Sequence, residues 1–326
     1  QLRARQTADG GFAMWPGGTA DDFASTYALQ LLLEAKDRQL AVPPDMVSKA
    51  TVYLQSRLGS GDTSSAFSWR NRAQMAYLLT RQGVLVPAAL ANLRQAQQAA
   101  LQRDKASPLA TDLGAAYLAA AFALQKQDAT AQALMAPVWS DLQQRVARKQ
   151  PLNRWDYYYD PLVHDSTLIL LGARHFPKLL ASLPVESWSR LAAMIGEGWY
   201  STQSSATTIL AVDAYARAAA ASAGGSVTAQ AVDKAGKSLA LPLTGELRSL
   251  QQAAVPNGTA KLKLSNPGNL PLYYGWAETG YERNLPDTAV THGLEITQAI
   301  LDEKGNAISE ARIGQEVTVR LTVRAV

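Results

Sequence analysis

The sequence contains no cysteine. Disulfides, thiolate metal sites, a cysteine nucleophile and an internal thioester are therefore outside what these residues can supply. Either a reducing or an oxidising compartment would suit such a chain. Histidine is nearly as scarce, at three residues, His164, His175 and His292. None has a second His or Cys at ligand spacing, so no metal site is expected. No apolar run reaches the roughly 18 residues of a membrane span. No run of Lys or Arg marks a nucleic-acid arm. The 31 basic residues stand against 27 acidic ones, a net charge of +4 over 326 residues, and no nucleic-acid partner is expected. A Gly-x-Ser-x-Gly elbow, a phosphate loop and a dinucleotide fingerprint are all missing, and no cofactor is expected. The chain opens on Gln1 without Met or signal peptide and reads as a processed product or an excised fragment.

What is present is an ordinary globular composition, 47% hydrophobic and 18% charged, with no signature of disorder. The length suggests about two domains. A Gly-rich aromatic loop, Gln6 to Gly18 with Asp9-Gly10-Gly11-Phe12 and Trp15, leads into an apolar helix over Asp21 to Lys36. Phe23, Tyr27 and Leu31 recur at helical spacing there. Pro43-Pro44 then opens a one-sided helix through Met46, Ala50, Tyr53, Leu54 and Leu58. The pattern repeats. Apolar helices start near residues 22, 68, 109, 162 and 204. All but the last are followed by a more amphipathic partner. The stretch through Ala115 to Phe122 leaves no polar side and should be buried all round. Pro137 interrupts the stripe of the partner that follows and predicts a kink or a late start. A period of roughly 40–50 residues is one helical hairpin. The contrast between apolar and one-sided helices predicts two layers, an inner and an outer ring. The expected fold is mainly α, an α/α toroid of hairpins followed by β-sandwich segments, with an open superhelix as the alternative.

After Gly225 the pattern changes to alternation with period two, at Ala260 to Leu264 and Val317 to Val323. Leu270 to Trp276 and Gly293 to Ile296 read as further strands. Asn257-Gly258 and Asn266-Pro267-Gly268 read as turns, and Glu303 to Asn306 as a hairpin tip.

In a toroid the loops ahead of the inner helices gather at one end. Phe12, Trp15, Phe67, Trp69, Trp155, Tyr157, Tyr158, Trp199 and Tyr200 are the candidate aromatic rim. They would line a ligand cup or docking face, or plug the end of the ring. Carboxylates gather there too: Asp9, Asp21, Asp22, Asp156, Asp160 and Asp165. A pair of acids can hydrolyse glycosides. A turn-forming Asp9 and helix-start Asp21 and Asp22 are the simpler reading. His164 reads as a hydrogen-bonded structural residue. No catalytic residue is assigned.

Several segments carry a resemblance. Ala8-Asp-Gly-Gly-Phe12-Ala-Met-Trp15-Pro-Gly-Gly, Ser25-Thr-Tyr27, Glu34-Ala-Lys36, Val42-Pro-Pro-Asp-Met46 and Trp199-Tyr-Ser-Thr-Gln203 resemble the thioester domain of bacterial alpha-2-macroglobulins. Trp276 to Arg283 resembles that family's returning β-sandwich segment. Gly293 to Ile296 and Gly314 to Arg320 resemble the start of its final macroglobulin-like domain. The resemblance implies three parts: a thioester-type toroid over 1–238 lacking its N-terminal portion, the returning part of a CUB-like sandwich over 239–289, and the start of a macroglobulin-like domain over 290–326. It implies a non-enzymatic, broad-spectrum protease trap in the periplasm or cell envelope. Its Cys-x-Glu-Gln thioester would lie upstream of Gln1 or be absent. The implied partners are target proteases, neighbouring domains of the parent and other envelope proteins. Two other readings stay open. One is an α/α-toroid enzyme acting on polysaccharide or isoprenoid, since Gln6-x-x-x-Gly10-x-Phe12 resembles the Gln/Trp repeats of terpene cyclases. The other is a thioester-less docking protein.

Overall fold

The structure, a computed structural model, describes residues 1–59, 63, 65–150, 152, 156, 158–198, 200–222, 227–247, 250–280 and 293–325. It divides into two compact units, Gln1–Leu272 and Tyr273–Val326.

Among the described residues the first unit holds ten helices. Five form the inner set: α1 (Asp22–Asp37), α3 (Ala66–Arg81), α5 (Leu113–Leu124), α7 (Pro161–His175) and α10 (Thr202–Ser222). Behind them lie α2 (Pro44–Gly59), α4 (Pro87–Arg103), α6 (Asp128–Ala147), the short α8 (Pro177–Leu180) and α9 (Glu186–Gly196). Inner helices pack on one another in chain order. The outer helices back them, α2 on α1 and α3, α4 on α3, α6 on α5, and α9 on α6 and α7. This is the helical toroid that the repeat predicts.

Each inner helix starts at a side chain able to satisfy a free N–H group of its first turn. Asp21 accepts from Ala24 N–H at 2.7 Å, Ser65 from Ser68 at 3.0 Å and Asp112 from Gly114 at 2.8 Å. Asp160 accepts from Val163 at 2.7 Å and Ser201 from Ser204 at 3.1 Å. The outer helices α2 and α4 open on Pro44 and Pro87, whose fixed φ suits the first turn. Replacing Asp160 with Ala is expected to cost about 1 kcal/mol, read as a lower urea midpoint at unchanged m-value.

Burial follows the patterning. Every residue from Leu113 to Phe122 in α5 and from Pro161 to Gly172 in α7 is buried. On the first and last inner helices the burial is incomplete, and Leu31, Ile209 and Val212 are exposed. Two boundaries differ from expectation. The helix predicted from Leu109 begins at Leu113, because Asp112 caps it and Pro108–Ala110 form a separate 3-10 turn. The helix carrying Pro137 runs unbroken from Asp128 to Ala147. Leu134, Met135, Val138 and Trp139 are buried on either side of the proline and hold both halves against the ring.

Among the described residues the same unit ends in two small sheets. One has the order β2-β1-β5, formed by β1 (Thr228–Asp233), β2 (Ser238–Leu241) and β5 (Thr259–Ser265), all antiparallel. The other pairs β3 (Thr244–Leu247) with β4 (Leu250–Gln252). With β1 at its centre, the three-stranded sheet begins at Thr228, ahead of residue 239. The strand expected over Leu270 to Trp276 does not form. Pro271 has no N–H to give a ladder, Leu270 is buried in the helical core, and the Pro271 carbonyl accepts from Tyr215 Oη at 3.0 Å.

In the second unit, β6 (Leu294–Leu301) pairs antiparallel with β7 (Thr318–Ala325). Leu294, Ile296 and Ile300 stand opposite Ala325, Val323 and Val319, giving the hairpin one apolar face. The turn expected at Glu303 to Asn306 is present, with Gly305 at φ 83 and Asp302 N–H donating to the Asn306 carbonyl.

Candidate functional site

Residues from the N-terminal parts of all five inner helices meet at one place. Phe23 of α1, Arg70, Asn71 and Gln74 of α3, Tyr117 of α5, Val163 of α7 and Gln203 of α10 line one small pocket of about 30 Å3. The pocket therefore lies on the axis of the ring, and the inner helices all start at this end. A volume of this size holds one or two waters. Its mouth is aromatic. Tyr158 stacks on Phe23 with centroids 4.0 Å apart, and Phe67 lies 6.4 Å from Phe23. Tyr158 adopts a left-handed backbone, φ 55, a strained state for a bulky residue.

The rim candidates separate into two groups. Trp15, Tyr158 and Tyr200 are exposed, at 68%, 50% and 58%, and Phe67 is half-buried. Phe12 and Trp69 are buried in the core. The Phe12 backbone N–H donates to Ser25 Oγ at 2.7 Å, which fastens the Gly-rich loop to α1. Trp69 Nε1 donates to the Leu93 carbonyl at 3.0 Å. Trp155, Tyr157 and Trp199 lie outside the described residues.

The carboxylates at this end are taken up structurally. Asp9 accepts from Gly11 N–H at 3.4 Å. Asp22 pairs with Arg57 at 2.8 Å and accepts from Tyr53 Oη. Asp21 and Asp160 are the helix caps described above. Asp156 lies 3.8 Å from Arg70, whose guanidinium also pairs with Asp112 and sits 3.5 Å above the Tyr159 ring. Buried Asp165 accepts from Arg145 at 2.8 and 3.1 Å and faces His164 Nδ1 at 2.8 Å. Burial pushes the Asp165 carboxyl up, but His164 and Arg145 outweigh it and hold the group below the usual carboxylate range. His164 is fully buried, with Nε2 3.3 Å from the Thr111 carbonyl. The arrangement clamps α6 to α7. Among the described residues no group of three or more His, Cys, Asp or Glu side chains is placed to hold a metal.

The opposite end of the ring carries a cluster that sequence reading left unassigned. Glu34 of α1 is buried and pairs with Arg38 at 2.8 Å, Arg81 of α3 at 2.9 Å and Arg174 of α7 at 2.7 Å. Arg38 reaches on to Asp213 of α10 at 2.7 Å, and Arg81 to Asp37. One carboxylate thus joins three inner helices, and one of its arginines reaches a fourth. Burial pushes the Glu34 carboxyl up, yet Arg174, Arg81 and Arg38 together bring it down to about 2. Nearby His175 faces Tyr77 Oη at 2.9 Å. Burial first, then Arg174 and Arg81, push its imidazole down to about 4 from 6.5. The neutral ring can therefore accept a hydrogen bond from the Tyr77 hydroxyl. A lowered histidine value means that the fold excludes a proton the unfolded chain binds. Its stability is complete above pH 6.5 and falls as the pH drops toward 4. His175→Gln is expected to remove that limb, on the order of 2 kcal/mol, in urea unfolding measured across the interval.

No protein-family model matches the chain. It is 32% identical over 328 residues to the alpha-2-macroglobulin homolog of Yersinia pestis, covering 99% of this chain and 16% of that protein. It is 28% identical over 331 residues to the alpha-2-macroglobulin of Pasteurella multocida, covering 99% and 17% respectively. The chain thus spans about a sixth of the length of these curated relatives. Native alpha-2-macroglobulin from Escherichia coli, in a crystal structure spanning domain MG7 to the C-terminus, matches with a TM-score of 0.50 at 22% identity. That match covers 99% of this chain and 48% of the other.

Proposed function

Because the chain belongs to the bacterial alpha-2-macroglobulin family, we propose that it is the thioester-type helical scaffold, with flanking β-structure, of a broad-spectrum endopeptidase inhibitor. The observation that carries the proposal is similarity along 99% of the chain to curated relatives of that one name. In this reading the chain is a scaffold and not an enzyme, and its parent works in the periplasm or cell envelope as a defence against proteases. An attacking endopeptidase cuts an exposed segment of the parent, the parent changes shape, and a Cys–Gln thioester becomes reachable. An amine of the protease then attacks the thioester carbonyl, forming an amide and releasing the cysteine thiol. The chain holds no cysteine, so the reactive bond is built from residues other than these. The part assigned here is to hold the wall around it. The exposed rings Trp15, Tyr158 and Tyr200 at the start of the inner helices suit such a wall.

The test uses the full-length parent with endopeptidases of several classes. The expected result is SDS-resistant protease adducts that methylamine treatment abolishes. Inhibition without adducts would move the reading to the thioester-less form. Failure to inhibit any endopeptidase class would overturn it.

A further inference from the structure

Arg190 and Ser187 of α9 hold buried polar atoms without a hydrogen-bond partner. Arg190 Nη1 and Nη2 are shielded from solvent and donate to nothing. The Arg190 Nε lies 3.8 Å from Asp165 Oδ2, beyond hydrogen-bond reach. Ser187, one turn earlier and 2% exposed, also has an Oγ without a partner. Residues three apart share a helix face, and α9 packs against α6 and α7.

The carboxylates nearby are already committed. Asp165 accepts from both Arg145 Nη groups and faces His164, while Asp141 accepts from Arg145 Nε at 2.7 Å. Donors thus outnumber acceptors, and buried guanidinium N–H groups are costly to leave unpaired. The electrostatics agree. Burial, with Arg145 adding to it, holds the Arg190 guanidinium below its ordinary value despite Asp165 and Asp141. Arg145 and Arg70 are also buried, yet their carboxylate partners raise both above it.

We propose that Arg190 and Ser187 bind a small monovalent inorganic anion of the chloride class, which accepts from the Arg190 Nη N–H groups and the Ser187 hydroxyl. A water molecule would bring two more donors to a place short of acceptors. A halide accepts from every group present and supplies the negative charge that Asp165 spends on Arg145. The anion would then pin α9 to the clamp between α6 and α7, a structural ligand site independent of protease trapping.

Bromide is the direct probe, in crystals of the 326-residue chain, where its anomalous signal is distinct from water. A bromide peak within hydrogen-bond distance of Arg190 Nη1 or Nη2 is expected. In solution, exchanging gluconate for chloride at fixed ionic strength is expected to raise the wild-type Tm saturably. Ser187→Ala, which retains the guanidinium, should need severalfold more chloride, and Arg190→Met should lose the response. A water or no density at Arg190, bromide found only elsewhere, or the same chloride response in Arg190→Met would each overturn the proposal. Should Arg190→Met fail to fold, the bromide map and the Ser187→Ala titration still decide it.

Discussion

Glu34→Ala is expected to destabilise the helical unit by about 3–5 kcal/mol, the range seen when one partner of a buried ion pair is removed. Three guanidinium groups converge on the Glu34 carboxylate, so truncation leaves buried positive charge facing itself. Arg38 keeps Asp213 and Arg81 keeps Asp37, but both Nη groups of Arg174 donate to Glu34. Arg174 is therefore the group left worst off. Glu34→Gln keeps the shape and loses the charge, and should recover only part of the loss. The pH dependence gives an independent check. The folded carboxyl is held at about 2, below its ordinary 4.5, so its contribution is complete above pH 4.5 and disappears as the pH falls toward 2. Wild type should lose stability across that interval, and Glu34→Ala should lack this part of the loss. If Glu34→Ala unfolds at the same urea midpoint as wild type, the cluster is not what ties α1 to α3 and α7.

That cluster marks where sequence reading ran out. The hairpin repeat was legible because its signals are local, namely apolar periodicity over α1, α3, α5 and α7 and proline at the start of α2 and α4. In sequence Asp21 reads only as an acid near a helix start and Asp112 falls inside the helix expected from Leu109, since a cap depends on a boundary uncertain by a residue or two. Glu34 gave no local sign. It is one acid on an apolar helix, and its partners Arg81 and Arg174 are 47 and 140 residues away. A partial signal existed, because α3 and α7 place Arg81 and Arg174 in their last turns, where the helix dipole favours them. Superposing the repeats would have stacked those charges beside Glu34. The aromatic candidates were legible as a group but not one by one. Phe12 and Trp69 occur in the same kind of loop-to-helix stretch as Trp15 and Phe67, and only packing decides which rings turn inward. The sheets were harder still. The central strand β1 has Ala229 and Ala231 as its buried residues, side chains too small to announce a strand by hydrophobicity.

Gly114→Ala and Gly172→Ala should both destabilise the fold, although alanine favours an isolated helix by up to about 1 kcal/mol over glycine. Trp69 of α3 lies against Gly114 of α5, so closely that an added Cβ would overlap its ring. Trp139 of α6 lies against Gly172 of α7, where an added Cβ would fall 2.7 Å from Cζ3. Neither indole can swing aside freely. Trp69 and Trp139 are buried, and each donates its Nε1, to the Leu93 carbonyl at 3.0 Å and to Ser182 Oγ at 3.1 Å. Gly114 has a further restraint, since its Cβ would also meet Arg70 Cα at 3.1 Å, and backbone yields less than side chain. Overpacking at such sites costs about 1–3 kcal/mol or more, which exceeds the helix-propensity gain, so the net sign is loss. The complementary deletion is larger. Trp69→Ala should cost about 3–5 kcal/mol, from lost burial and an unfilled space beside Gly114. The double variant Trp69→Ala/Gly114→Ala separates packing from propensity. With the ring gone the alanine methyl has room, so Gly114→Ala should turn from destabilising to neutral or stabilising in that background. Urea unfolding of the four chains reads this as a coupling energy. Additive effects would mean that the glycine is not there to admit the indole, and that α3 and α5 are spaced by something else.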